Sequence, residues 1–114
     1  MLLIGDQDAV HATRADGLRL HGYQVLTAAT GVAAEALGQQ RGLDALALVI
    51  LVLSQVREGK TLVQRWGGQA PQLPFLLISD DPMPDRSDPP VVWWLVKPLA
   101  GDTLLMAVYD ILGS

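Results

Sequence analysis

Side chains capable of metal or acid–base chemistry are few and widely spaced in this 114-residue sequence. There is no cysteine, which excludes disulfides and thiolate metal sites. His11 and His21 are ten residues apart with no third ligand beside them, and both are predicted to lie on a helix surface. Asp6 and Asp8 follow an apolar stretch, and such carboxylates can hold Mg²⁺. A strand end and a helix N-cap explain the same pair without a metal, so no metal site is predicted.

No catalytic or phosphate-binding motif accompanies these residues. A nucleophile–base pair is missing around Asp6 and Lys97, so the sequence does not predict an enzyme. A phosphate-binding loop needs several glycines, whereas IGDQDA contains one. We therefore expect no bound cofactor. A domain that binds a small ligand, such as a nucleotide or flavin, stays open as an alternative to the function inferred below.

Composition narrows the class of protein. The net charge is −4 and the eight lysines and arginines are scattered, which argues against direct nucleic-acid binding. Half of the residues are hydrophobic, enough for one core, so residues 1–114 are predicted to form a single domain. The longest apolar run, Ala45 to Leu53, is far short of the roughly 20 residues that span a bilayer. The N-terminus lacks the basic region of a signal peptide, and we expect a cytoplasmic protein without membrane contact.

Hydrophobic periodicity predicts alternating strands and helices. In the first helix, Val10, Ala15 and Leu20 are assigned to the less polar side. Gly22 is expected to end that helix, and the pair Gly67-Gly68 to end the third. The strands are predicted at Leu2–Ile4, Tyr23–Ala28, Ala45–Leu53, Pro74–Ser79 and Val91–Val96, and the helices at Ala9–Leu20, Val32–Gln40, Lys60–Trp66 and Asp102–Leu112.

This alternation predicts a three-layer α/β/α fold around a parallel sheet. Five such strands commonly take the flavodoxin-like order 2-1-3-4-5. Functional groups of these sheets gather beyond the carboxyl ends of strands 1, 3 and 4. Those ends carry Gly5-Asp6, the stretch from Val49 to Ser54, and Ser79-Asp80.

Five segments, in this order, resemble the receiver domain of response regulators over nearly the whole chain: LLIGDQDAV, GYQVLTAATGVAAEAL, REG, PFLLIS and WWLVKPL. Within the last segment, the Lys97-Pro98 pair is the strongest indication of the resemblance. The resemblance implies a flavodoxin-like fold and a role in two-component signal transduction. The family transfers a phosphoryl group to an aspartate at the end of strand 3. Acids on the first loop hold Mg²⁺ there, and a hydroxyl and a lysine balance the added charge.

Only some residues of that site have a match in this sequence. Gly5 stands where the first metal acid is expected, and Asp6 matches the second. Ser79 matches the hydroxyl residue and Lys97 the lysine. Without a phosphoryl group, Lys97 is expected to pair with Asp6 in a structural ion pair.

The phosphoacceptor position is apolar however it is counted. Counting forward from Gly31 and Asp44 gives Val49, and counting back from Gly59 gives Leu51. The neighbouring positions are apolar as well: Ile50, Val52 and Leu53. Because an alkyl side chain neither attacks phosphorus nor binds a metal, the sequence predicts a pseudo-receiver, whose degenerate site is Gly5, Asp6, Val49, Leu51, Ser79 and Lys97.

A second departure from the family lies between strands 4 and 5. Ser79 and Lys97 are 18 positions apart, and the stretch DDPMPDRSDPP between them contains four prolines. Proline inside a helix costs roughly 3 kcal/mol. The fourth helix of the family is therefore predicted to be missing or reduced to one turn. Its loss would expose Trp93 or Trp94, the candidates for binding a protein partner: a kinase, an output domain or a second copy of the chain.

Overall fold

The computed structural model describes residues 1–5, 9–42, 46–52, 59–70, 72–80, 92–97 and 103–113. Strands and helices alternate as predicted up to the fourth strand, and residues 81–91 between the fourth and fifth strands are not described. The elements are β1 (Leu2–Ile4), α1 (Ala9–Leu20), β2 (Leu26–Ala28), α2 (Gly31–Arg41), β3 (Val49–Val52), α3 (Gly59–Gln69), β4 (Phe75–Ser79), β5 (Val92–Val96) and α4 (Thr103–Leu112).

The five strands form one parallel sheet in the order β2-β1-β3-β4-β5, which confirms the predicted topology. Side chains alternate across the sheet and divide the core into two layers. Residues of α2 and α3 pack on one face, together with Val49 and Leu51 of β3. Residues of α1 and α4 pack on the other face, together with Ile50 and Val52. The result is the predicted three-layer α/β/α arrangement.

The central strand β3 explains the unbroken apolar run in the sequence. All four of its residues are fully buried, because helices cover both faces of the sheet. Each such aliphatic side chain contributes about 1.5–3 kcal/mol by leaving water. Because both faces are covered, this strand cannot alternate apolar and polar residues.

The first edge of the sheet is fixed by backbone contacts around the first residue. The Met1 carbonyl accepts a hydrogen bond from the Leu26 amide at 2.9 Å. The Met1 amino group donates to the Gln24 carbonyl at 2.7 Å, and desolvation by burial lowers its pKa. Strand β2 is shorter than predicted because the Tyr23 amide still donates to Leu18, at the end of α1.

Glycines end α1 and α2 but do not end α3. Gly22 and Gly42 adopt positive φ values of 91° and 81°, which favour glycine at the end of a helix. The prediction that Gly67-Gly68 ends α3 is wrong, since α3 continues to Gln69. Trp66 is buried there and anchors the last turn, so packing outweighs a glycine penalty of about 1 kcal/mol.

The buried face of α1 differs from the predicted one. His11, Ala15 and Leu18 are buried, whereas Val10 and Leu20 are 54% and 85% exposed. The prediction that His11 lies on the surface is therefore wrong. The buried residues recur at positions i, i+4 and i+7, a helical stripe that includes the histidine.

Other predictions fall on residues that the structure does not describe. The missing or shortened fourth helix of the family concerns residues 81–91, which lie outside the described ranges. The described part of the chain contains four helices. None of the helices within it is long and apolar enough to cross a bilayer.

Candidate functional site at the carboxyl edge of the sheet

The candidate site begins where β1 ends. Gly5 is buried and its amide donates to the Ala28 carbonyl of β2 at 3.0 Å. The backbone therefore holds Gly5 at the carboxyl edge of the sheet, although it brings no side chain to the site. Asp6, the next residue, lies outside the described residues, and so does its predicted ion pair with Lys97.

Ser79 and Lys97 meet at the ends of β4 and β5. Ser79 is the register partner of Val96, and the Lys97 amide donates to the Ser79 carbonyl at 2.8 Å. Ser79 is 8% exposed and Lys97 is partly buried. The structure thus places the predicted hydroxyl and amine on neighbouring strands, whose backbones lie roughly 4.8 Å apart.

The register of β3 separates the two candidate phosphoacceptor positions. Val49 is the first residue of the strand and pairs with Leu2 and Phe75. Leu51 pairs with Ile4 and Leu77, about 6.6 Å closer to the carboxyl edge. Leu51 is therefore the nearer of the two to that edge, and Ser79 lies two residues beyond its partner in β4. Leu53, the remaining apolar candidate, lies outside the described residues.

The described strand supplies no oxygen ligand to this edge. Every side chain from Val49 to Val52 is an alkyl group with 0% exposure. Within the described ranges there is no group of three or more His, Asp or Glu residues able to hold a metal. Asp6 and Asp8 lie outside those ranges. The described residues can thus offer a hydroxyl and an ammonium, which suit an anion, but no nucleophile on β3.

Sequence reasoning missed a further residue close to this edge. His11 lies in the first turn of α1, soon after β1 ends, and is 3% exposed. The signal that could have found it is its spacing with Ala15 and Leu18, which form the buried stripe of α1. Because histidine is classed as a polar residue, this stripe is not recognised in the sequence.

The two tryptophans of β5 have different environments. Trp94 is partly buried and packs against the core layer of α2 and α3. Trp93 points to the other face and is 40% exposed, and Val96 is 43% exposed. Because β5 is the last strand of the sheet, it presents apolar surface next to a strand edge that has no partner among the described strands.

Comparisons with known proteins find similarity among solved structures. No family model matches the chain, and no curated protein matches it. The receiver domain of the hybrid histidine kinase CckA is 29% identical, with 97% of this chain and 96% of that chain covered and a TM-score of 0.79. The chemotaxis protein CheY4 of Vibrio cholerae is 23% identical, with 96% and 95% covered and a TM-score of 0.78.

A response regulator receiver domain protein from Clostridium thermocellum is 14% identical, with 98% of this chain and 92% of that chain covered and a TM-score of 0.79. At 23% and 14% identity the likeness is one of fold. The sheet order is that of the receiver fold, and the comparisons cover 96% to 98% of this chain. The chain therefore has the flavodoxin-like fold of response-regulator receiver domains.

Proposed function

We propose that this protein is a pseudo-receiver: a member of the receiver family that signals through protein–protein contact, without phosphorylation and without enzymatic activity. Support comes from the receiver fold and from the paired Ser79 and Lys97 at the expected edge. The observation that carries the proposal is Leu51, a fully buried alkyl side chain near the position where receivers bear an aspartate.

The chemistry of that position explains the loss of phosphorylation. Phosphoryl transfer needs an oxygen nucleophile in line with the leaving group, and a magnesium ion to neutralise developing charge. A leucine supplies neither an attacking atom nor a ligand for a hard cation. Gly5 removes one further acidic ligand, so Lys97 and Ser79 keep only structural roles in this proposal.

The proposed signal passes through the surface of β5. Trp93 and Val96 expose apolar area on opposite faces of the edge strand, and tryptophan is enriched among the residues that anchor interfaces. We propose a protein partner at this surface: a kinase, an output domain or a second copy of the chain. Trp94 is partly buried and packs against the core on the face of β5 opposite to Trp93.

The phosphorylation claim is tested on the wild-type chain. The protein is incubated with acetyl phosphate and Mg²⁺, and separately with beryllofluoride and Mg²⁺, beside a receiver domain that carries the aspartate. We expect no mass increase for a phosphoryl group and no change in NMR shifts at Gly5, Ser79 or Lys97. A hydroxylamine-sensitive phosphoryl adduct on this chain would overturn the proposal, provided that the control receiver is modified in parallel.

A further inference from the structure

A groove of about 400 Å³ opens between the end of α1 and the exposed side of α4. This size is within the range of natural binding pockets. The groove shares no residue with the carboxyl-edge site or with the β5 surface, so it stands apart from the function proposed above. Its lining consists of His21, Tyr23, Leu105, Met106, Tyr109 and Asp110.

The groove has a fixed apolar floor and an exposed apolar rim. Tyr23 and Leu105 are partly buried and pack against the core layer of α1 and α4. Met106 and Tyr109 are 60% and 58% exposed. Two large apolar side chains held this far into solvent, beside an anchored floor, form a surface that a ligand can cover.

Asp110 brings a negative charge to the groove. It is exposed, and no lysine or arginine among the described residues lines the groove. In the described part of the chain, ion pairs join Arg19 with Asp16 and Arg65 with Glu35, and neither involves Asp110. Arg19, in the last turn of α1, contacts Asp16 and donates to the Val25 carbonyl.

The position of Asp110 is unfavourable for folding. It lies in the last turn of α4, where the carbonyl ends of the helix carry partial negative charge. That turn contains no basic residue to offset it. Asp110 thus carries a negative charge at an unfavourable helix position and has no counter-charge among the described residues. Such a position, which does not favour folding, is typical of a residue kept for binding.

His21 contributes an acceptor to the same groove. Its Nδ1 lies 3.0 Å from the Gly17 carbonyl oxygen. Because a carbonyl can only accept, Nδ1 carries the proton and donates. In the neutral form of the ring, Nε2 is then a hydrogen-bond acceptor. The groove thus combines a carboxylate, an imidazole acceptor and two tyrosine rings.

We propose that this groove docks an arginine side chain presented by a partner protein. A guanidinium has five donors and no acceptor, which matches a groove that offers a carboxylate and Nε2. It also stacks on aromatic faces such as Tyr23 and Tyr109, and it is less strongly hydrated than the ammonium of lysine. Uncharged ligands of the same size leave Asp110 without a counter-charge.

An NMR titration of the full chain with Nα-acetyl-argininamide tests the proposal. We expect saturable shifts at His21, Tyr23, Tyr109 and Asp110, with a dissociation constant on the order of 1 mM. The lysine analogue and the uncharged citrulline analogue should bind several-fold more weakly. Free arginine should also bind more weakly, since its carboxylate is repelled by Asp110. Tighter binding of free arginine would indicate a metabolite site and overturn the proposal of a protein-borne side chain.

The variant Asp110→Asn separates binding from folding. It should weaken the argininamide affinity about tenfold, while the thermal midpoint stays unchanged or rises because the helix end loses a negative charge. Asp80→Asn is the matched control, since Asp80 is an exposed acid elsewhere on the chain, and it should leave the affinity unchanged. The proposal is overturned if argininamide gives no saturable shifts, if citrulline binds equally well, or if Asp110→Asn keeps the wild-type affinity.

Discussion

At the scale of the residue, the proposed loss of phosphorylation depends on Leu51. Its side chain is fully buried in the layer between the sheet and helices α2 and α3. We predict that Leu51→Asp destabilises the protein by about 3 kcal/mol or more, because a buried carboxylate has no described counter-charge there. Burial disfavours the charged form, so the loss should be largest near neutral pH.

The sign of this pH dependence follows from proton linkage. The folded variant holds its proton more tightly than the unfolded chain, so its free energy of unfolding should rise as pH falls from about 7 to about 5. Urea denaturation at both pH values measures the effect. Leu51→Asn is the matched control, since it is polar and of similar size but cannot ionise. A Leu51→Asp variant as stable as wild type, with further stabilisation by Mg²⁺, would contradict the apolar account of this site.

At the scale of the element, the helices contain glycines that packing does not require. Gly17 of α1 and Gly68 of α3 have helical neighbours on both sides, and a Cβ added to either would meet no atom within 4 Å. We predict that Gly17→Ala and Gly68→Ala each raise the free energy of unfolding by about 0.5–1 kcal/mol, because alanine restricts the unfolded chain.

Gly42→Ala provides the opposite control. Gly42 also has open space around it, but its φ of 81° is strained for any residue with a Cβ. This substitution should lower the free energy of unfolding by roughly 1–2 kcal/mol, measured by the same urea titration. A stabilising effect of Gly42→Ala would show that α2 ends differently in solution.

The elements also show what the sequence can and cannot predict. Alternating apolar strands and helices predicted the sheet order, because covered parallel strands leave unbroken apolar runs such as Val49–Val52. The end of α3 was mispredicted, since the packing of Trp66 is a tertiary effect absent from local propensity. The sequence leaves Val49 and Leu51 as alternatives for the phosphoacceptor position, because counting crosses loops of variable length. The pairing of Leu51 with Ile4 and Leu77 puts it nearer to the carboxyl edge than Val49.

At the scale of the whole molecule, the sheet ends in an edge strand with exposed aromatic surface. Trp93 on β5 is 40% exposed, whereas Trp66 of α3 is 3% exposed and belongs to the core. A partner that covers β5 should therefore depend on Trp93 without Trp93 being needed for folding. We predict that Trp93→Ala changes the free energy of unfolding by less than about 1 kcal/mol, while Trp66→Ala costs about 3–5 kcal/mol.

The same variant tests the partner surface. If a second copy is the partner, analytical ultracentrifugation should show a dimer for wild type and a monomer for Trp93→Ala at equal concentration. If the partner is a kinase or an output domain, the proteins captured from a lysate should differ between the two. Val32→Ala serves as the matched control, since Val32 is 71% exposed on α2, away from the edge strand. Equal mass and equal capture for all three proteins would mean that β5 is an ordinary solvent edge, because removing its largest exposed side chain must weaken any interface built upon it.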